Sequence, residues 1–230
     1  MPPNPAIQKL RQRIASLEDV PRRFSQTIPI AEPINHWLPF RGLPVHCIHE
    51  VKGSSLAPAV VFAAILSSRI AGDRGNILLI SPDRSLYLPG LLPYGVRADQ
   101  VLHVVAKRPM DRLWAVMETL RCSGVSSVIA FVDNLDLTES RRLQLAAEAS
   151  GATGFLVGGA AAGCIAAPVT RWKISPVRGE PGHRLNEPVW EVDLRYSRGG
   201  RPGKWILEWR GGLLSPRAII AEPRAQASGF

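Results

Sequence analysis

Cysteine is scarce in this chain: three in 230 residues, at Cys47, Cys122 and Cys164. An odd, scattered set without a Cys-x-x-Cys pair excludes a disulfide framework and a thiolate zinc site. It fits a reducing compartment. The first residues, Met1 to Pro5, hold no apolar signal core, so a secretory leader is not expected and the chain reads as cytoplasmic. Acidic residues are also in the minority. Nineteen stand against 28 lysines and arginines, a net charge of +9, which favours phosphate polymers, anionic surfaces or acidic proteins as partners. No internal repeat is present. The stretch from Ala149 to Thr170 carries no charge and is long enough to span a bilayer. It is broken by Gly151, Gly154, Gly158, Gly159, Gly163 and Pro168, so it reads as a buried strand followed by a small-residue loop, with no membrane contact.

What is present is ample apolar material. With 46% hydrophobic and only 20% charged residues, the chain can bury a core without metals or staples. Residues 7–18 read as a short amphipathic helix with Ile7, Leu10, Ile14 and Leu17 on one face. Residues 19–45 are proline-rich and read as a linker. Strand and helix then alternate. The spacing predicts strands at His46–Val51, Ile77–Ile80, Val101–Val105, Ser127–Val132 and Phe155–Val157. It predicts helices from the Ser54/Ser55 cap through Ile70, from Asp111 to Arg121 with a stop at Gly124, and from Glu139 to Ala149 with a stop at Gly151. Leu86 to Tyr94 is a proline-interrupted turn. This order predicts an α/β fold with a mostly parallel central sheet and helices on both faces.

The last third changes character. Trp190, Val192, Leu194 and Tyr196 alternate with charged residues, and Lys204 to Trp209 alternates likewise. With Arg171–Ser175 they predict antiparallel C-terminal strands. The Gly-rich tip Ser197–Gly203 is basic, and Arg195, Arg198, Arg201 and Lys204 around it are candidates for contact with nucleic acid or an acidic partner. The domain reading is 1–37 for helix and linker, 38–210 for the core and 211–230 for a loose tail. His46 and His49 lie three apart on a strand and point to opposite faces, so they do not share a metal. His103 reads as a satisfied core group. Ser54 and Ser55 read as helix caps, and the tryptophans as packing: Trp205 with Trp209, Trp190 with Tyr196, each pair sharing a face.

The segment from Leu86 to Leu137, with its Tyr-containing turn, its strand and its helix ending at Gly124, resembles the core of RecA. Three segments, Leu135–Gly151, Thr170–Ile174 and Arg198–Trp209, resemble ImuA, a RecA-related accessory family of bacterial mutagenesis cassettes. The likeness runs from about Leu38 to Trp209. It implies a RecA-like core acting in damage-induced translesion synthesis. The implied partners are an ImuB-like protein, RecA and an error-prone DnaE-type polymerase, near the nucleoid during damage, with DNA as a further candidate. It also implies a docking role on a neighbour for the helix Ile7–Leu17, with covering its own core as the equal alternative.

The likeness raises the question of ATP. A phosphate loop needs Gly-x-x-x-x-Gly-Lys-Ser/Thr between strand and helix. In the RecA-like register Leu56, Ala57 and Pro58 stand where Gly, Lys and Ser/Thr belong. Lys52, Gly53, Ser54 and Ser55 are then a degenerate phosphate loop, with Lys52 the remaining cation able to approach from the other side. Losing two interactions with charged groups costs about 3–6 kcal/mol together, enough to take a micromolar site to about millimolar or weaker. Asp83 stands where RecA-like ATPases carry the water-activating glutamate. Asp133 lies one residue beyond the expected acidic position, where a slip turns the side chain to the other face. The expectation is no ATP turnover and no cofactor. The alternatives are a divergent RecA-type ATPase, a SulA-like cell-division inhibitor binding FtsZ, and a plain DNA-binding module.

Overall fold

The structure is a computed structural model and describes residues 26–159, 163, 165–177 and 187–218. The predicted helix Ile7–Leu17 lies outside them. The elements are β1 (Thr27–Ile28), α1 (Glu32–Asn35), β2 (Leu43–Pro44), β3 (Ile48–Gly53), α2 (Leu56–Ala71), β4 (Asn76–Ser81), β5 (Val101–Val105), α3 (Pro109–Arg121), β6 (Val125–Phe131), α4 (Leu137–Ser150), β7 (Thr153–Gly158), β8 (Thr170–Pro176), β9 (Val189–Ser197), β10 (Gly203–Arg210) and β11 (Leu213–Ala218).

Nine strands form one sheet in the order β11-β10-β9-β8-β3-β7-β6-β4-β5, and β1 pairs separately with β2. From β8 to β5 every pairing is parallel. From β8 to β11 every pairing is antiparallel. The architecture is thus the mixed α/β sheet read from the sequence, mostly parallel with antiparallel C-terminal strands.

Two apolar layers sandwich the sheet. On one face α2 is buried along nearly its whole length, and Ala59, Ala63 and Ala64 let its backbone approach the strands closely while Phe62, Ile65 and Leu66 fill the layer. Pro58 is tolerated because it lies in the first turn, where an amide has no intrahelical acceptor. On the other face α3 and α4 bury Val116, Leu120, Leu143 and Ala147 against Ile48, Ile80, Val128 and Leu156. A complete capping box fixes the start of α4: Glu139 N–H donates to Asp136 Oδ1 at 2.7 Å and Asp136 N–H donates to Glu139 Oε2 at 3.0 Å. No helix among the described residues is long and apolar enough to cross a membrane.

Three expectations change. From residue 26 the proline-rich stretch is part of the core, because Ile30, Ile34 and Leu38, spaced four apart around the prolines, are buried with Leu43. The tail is not loose over Leu213–Ala218. Gly211 and Gly212 both take positive φ, forming the two-residue hairpin loop whose twist matches antiparallel strands, and β11 pairs with β10. Tyr196 does not share a face with Trp190. The β8–β9 register jumps from Arg171↔Tyr196 to Trp172↔Leu194, so Arg195 is bulged out and Tyr196 is turned into solvent.

Candidate functional site

In open parallel sheets ligands settle at the carboxyl ends of the strands, beside the point where the chain reverses direction across the sheet. Here that point is the end of β3, between β7 and β8. The connection from β3 to α2 is only Ser54 and Ser55. Gly53 is obligatory there, since a Cβ would fall 1.9 Å from the Ser55 carbonyl oxygen. Ser54 N–H donates to Ile174 O at 3.0 Å, so that amide is taken by β8. Ser55 occupies the N-cap position without a side-chain capping bond, and Pro58 brings no N–H.

Lys52 is held in place beside this turn. Its Nζ lies 3.5 Å from Glu50 Oε1 and donates to Gly163 O. Glu50 is 1% exposed and is the hub of the cluster. Arg171 Nε pairs with its Oε2, and Ile165 N–H donates to its Oε1 at 3.2 Å. Arg171 Nη2 in turn donates to Ile165 O at 2.7 Å. One buried carboxylate and two cations therefore clasp the chain that leads into β8. Lys52, the cation nearest the turn in sequence, is thus engaged by Glu50 Oε1 and Gly163 O.

The two downstream carboxylates are set in turns. Asp83 is exposed, and its Oδ1 accepts from Ser85 N–H at 2.9 Å. The Ser85 hydrogen bonds hold its carboxyl below the usual carboxylate range. His103 shares a 2.7 Å hydrogen bond with Ser81 Oγ. Burial, helped by Arg84, lowers its pKa. Asp133 is exposed and lies 3.8 Å from Arg112 Nη2. Sequence reasoning overlooked Arg112. It is buried and donates to Phe131 O at 3.0 Å, Ala106 O at 3.1 Å and Lys107 O at 2.7 Å, tying the ends of β5 and β6 together. Its signal was a cation in the first turns of a helix, where the helix dipole disfavours positive charge.

His49 is wholly internal. Its Nε2 donates to Pro44 O at 2.9 Å, its Nδ1 accepts from Thr170 Oγ1 at 2.7 Å, and its ring stacks on Phe155 at 5.2 Å. Burial lowers its pKa to about 4. His46 precedes the strand, beside Gly151. Among the described residues no three His, Cys, Asp or Glu side chains are grouped as metal ligands.

The basic hairpin sits at the opposite end of the sheet. Thr170, which starts β8, pairs with Ser197, whereas Gly53 pairs with Ile174. The tip and the β3–α2 turn are separated by that length of strand, about 13 Å. Of the four predicted cations, Arg195 lies 3.3 Å from Asp193 and Lys204 lies 2.9 Å from Glu191. Arg201 instead stands over the Trp37 ring at 5.2 Å, and its N–H donates to Trp37 O at 2.8 Å. Arg198 N–H donates to Val169 O at 2.9 Å. Trp205 and Trp209 are both buried, as packing residues.

No family model matches this chain. It is 32% identical over 207 residues to Protein ImuA of Caulobacter vibrioides strain NA1000 / CB15N, a match covering 81% of this chain and 85% of that one. Protein ImuA of strain ATCC 19089 / CIP 103742 / CB 15 matches to the same extent. Among solved structures, SulA from Pseudomonas aeruginosa superposes with a TM-score of 0.43 at 22% identity, over 49% of this chain and 97% of that chain.

Proposed function

We propose a function from the premise that this chain belongs to the ImuA family. It is a mutagenesis-associated accessory protein. It acts by binding and not by turning over nucleotide, as an adaptor in a damage-induced translesion-synthesis assembly. Its partners are an ImuB-like protein, RecA and, through them, an error-prone DnaE-type polymerase. The observation that carries the reading is the β3–α2 turn: two residues long, without lysine, with Lys52 clasped by Glu50 and Gly163 O. Such a turn has no room for the amide cradle that a phosphate loop provides. The predicted helix Ile7–Leu17 and the outer face of α3 are candidate docking elements. On α3, Met110 and Trp114 stand one turn apart, 71% and 67% exposed. Exposed tryptophan is the residue type that dominates binding energy at protein interfaces.

The test is capture from a nuclease-treated lysate of DNA-damaged cells, with the full chain immobilised. Recovery of RecA and an ImuB-like protein is expected, with Trp114→Ala weakening one of the two. Recovery of FtsZ, or of neither partner, overturns the reading. So does DNA-stimulated ATP hydrolysis that disappears in Asp83→Ala.

A further inference from the structure

The turn between α1 and β2 has an unusual backbone. Phe40 (φ 56°, ψ 23°) and Arg41 (φ 59°) both lie in the left-handed region. Bulky side chains rarely adopt it, and residues held there concentrate at functional sites. The turn is nevertheless pinned. Gly42 packs so closely on Thr27 that a Cβ would fall 2.8 Å from its side chain, and Leu43 is fully buried behind it. The result is that Phe40 stands outward, 48% exposed.

The hairpin tip is built onto the same turn. Arg201 N–H donates to Trp37 O, and a Cβ on Gly200 would meet that same carbonyl at 2.7 Å. Trp37 sits edge-on against Trp205 at 5.8 Å and carries the Arg201 guanidinium on its ring. Arg41 Nη2 rests against His36 Nδ1 at 2.9 Å. The nearby acids are already engaged: Glu32 lies 3.6 Å from His36, Asp193 holds Arg195 and Glu191 holds Lys204. Among the described residues neither Arg41, Arg198 nor Arg201 is ion-paired to a carboxylate. An exposed aromatic ring and Arg41 on the α1–β2 turn, and Arg201 on the hairpin tip bonded to that turn at Trp37, are therefore carried by two joined segments of a chain of net charge +9.

We propose that this surface binds single-stranded nucleic acid, with an unpaired base stacked on Phe40 and the flanking phosphates held by Arg41 and Arg201. Stacking on aromatic rings combined with arginine contacts to the backbone is the physical basis of sequence-tolerant single-strand binding. A duplex hides its base faces and offers Phe40 nothing to stack on. A purely acidic chain such as polyglutamate would engage the arginines and make no use of Phe40. The site does not depend on the partner reading above. It involves neither the β3–α2 turn nor α3, and each can fail without the other.

The experiment is fluorescence anisotropy with a labelled thymidine oligonucleotide and the full chain, across a salt series, with a duplex of equal length beside it. The single strand should bind more tightly than the duplex. Phe40→Ala should weaken single-strand binding about tenfold or more, and Phe40→Trp should retain it. Arg201→Ala should weaken binding and flatten the salt slope by about one. Phe40→Gly, which suits the left-handed backbone, guards against a folding artefact: it must melt like the parent and still lose affinity. Equal affinity for duplex and single strand, unchanged affinity in Phe40→Ala, or binding of polyglutamate in place of the oligonucleotide overturns the proposal.

Discussion

Lys52 and Arg171 on one side of the comparison and Arg41 and Arg201 on the other are partnered in opposite ways. Toward the carboxyl end of β3, where a nucleotide motor would grip phosphate, Lys52 and Arg171 converge on the buried Glu50, which also accepts from Ile165 N–H. At the amino end, Arg41 and Arg201 lean on His36 and Trp37, and Phe40 is turned outward. Internal charge pairing leaves a region little capacity for ligands, because each cation already has its counterion. A guanidinium over a ring, as Arg201 is, or hydrogen-bonded to one imidazole nitrogen, as Arg41 is, keeps most of its five donors for something else. The motif-like position therefore lies beside cations that already have a counterion, and the proposed single-strand surface beside arginines that no carboxylate takes.

The comparison can be broken most forcefully on its ion-paired side. Glu50→Ala leaves two cations facing each other in a largely buried site and should cost about 3–5 kcal/mol in urea unfolding. A loss under about 1 kcal/mol would mean the clasp is ornamental and the turn free to open. Next is the interior between the two ends, where His49 is held neutral. Its folded pKa of about 4 lies below the unfolded value of 6.5. The folded state binds fewer protons, so this stability is complete above pH 6.5 and is lost as pH falls from there through 4. A difference of about 2.5 pH units corresponds to about 3 kcal/mol. Unfolding free energy followed from pH 7 to pH 4 should fall accordingly, and His49→Gln should flatten that fall.

A smaller effect is expected from Arg112→Ala at the carboxyl ends of β5 and β6. Three carbonyls lose a charged donor, at about 2 kcal/mol, read as a lower melting temperature. The smallest is on the other side. Phe40→Gly removes the backbone strain but loosens the unfolded chain, and should leave stability within about 1 kcal/mol of the parent. A large loss there would show that Phe40 is a packing residue, and the contrast between the ends would weaken.

Much of this fold is legible in the residue order. Runs such as Ile77–Ile80 read as buried strands because parallel strands are covered on both faces, and Gly151, in the left-handed conformation, marks the end of α4. The buried four-residue spacing of Ile30, Ile34 and Leu38 was hidden by the prolines between them. The Gly211–Gly212 turn was readable as a hairpin but falls next to a chain end, where strands are seldom sought. The bulge at Arg195 was not readable, because nothing in a two-residue alternation marks where a partner strand will skip a residue.

The same division holds for the site. By itself the sequence determined that no lysine follows the β3–α2 turn, that charge is positive overall, and that Arg198 and Arg201 flank a flexible tip. These are matters of residue type and local spacing. Only the tertiary structure decided that Lys52 belongs to Glu50 and Gly163, that Trp37 receives Arg201, and that Phe40 and Arg41 are forced outward beside it. Two of those pairings, Lys52 with Gly163 and Trp37 with Arg201, join residues more than a hundred positions apart. They depend on which strands lie side by side and where each turn is pinned, and one-dimensional spacing carries neither.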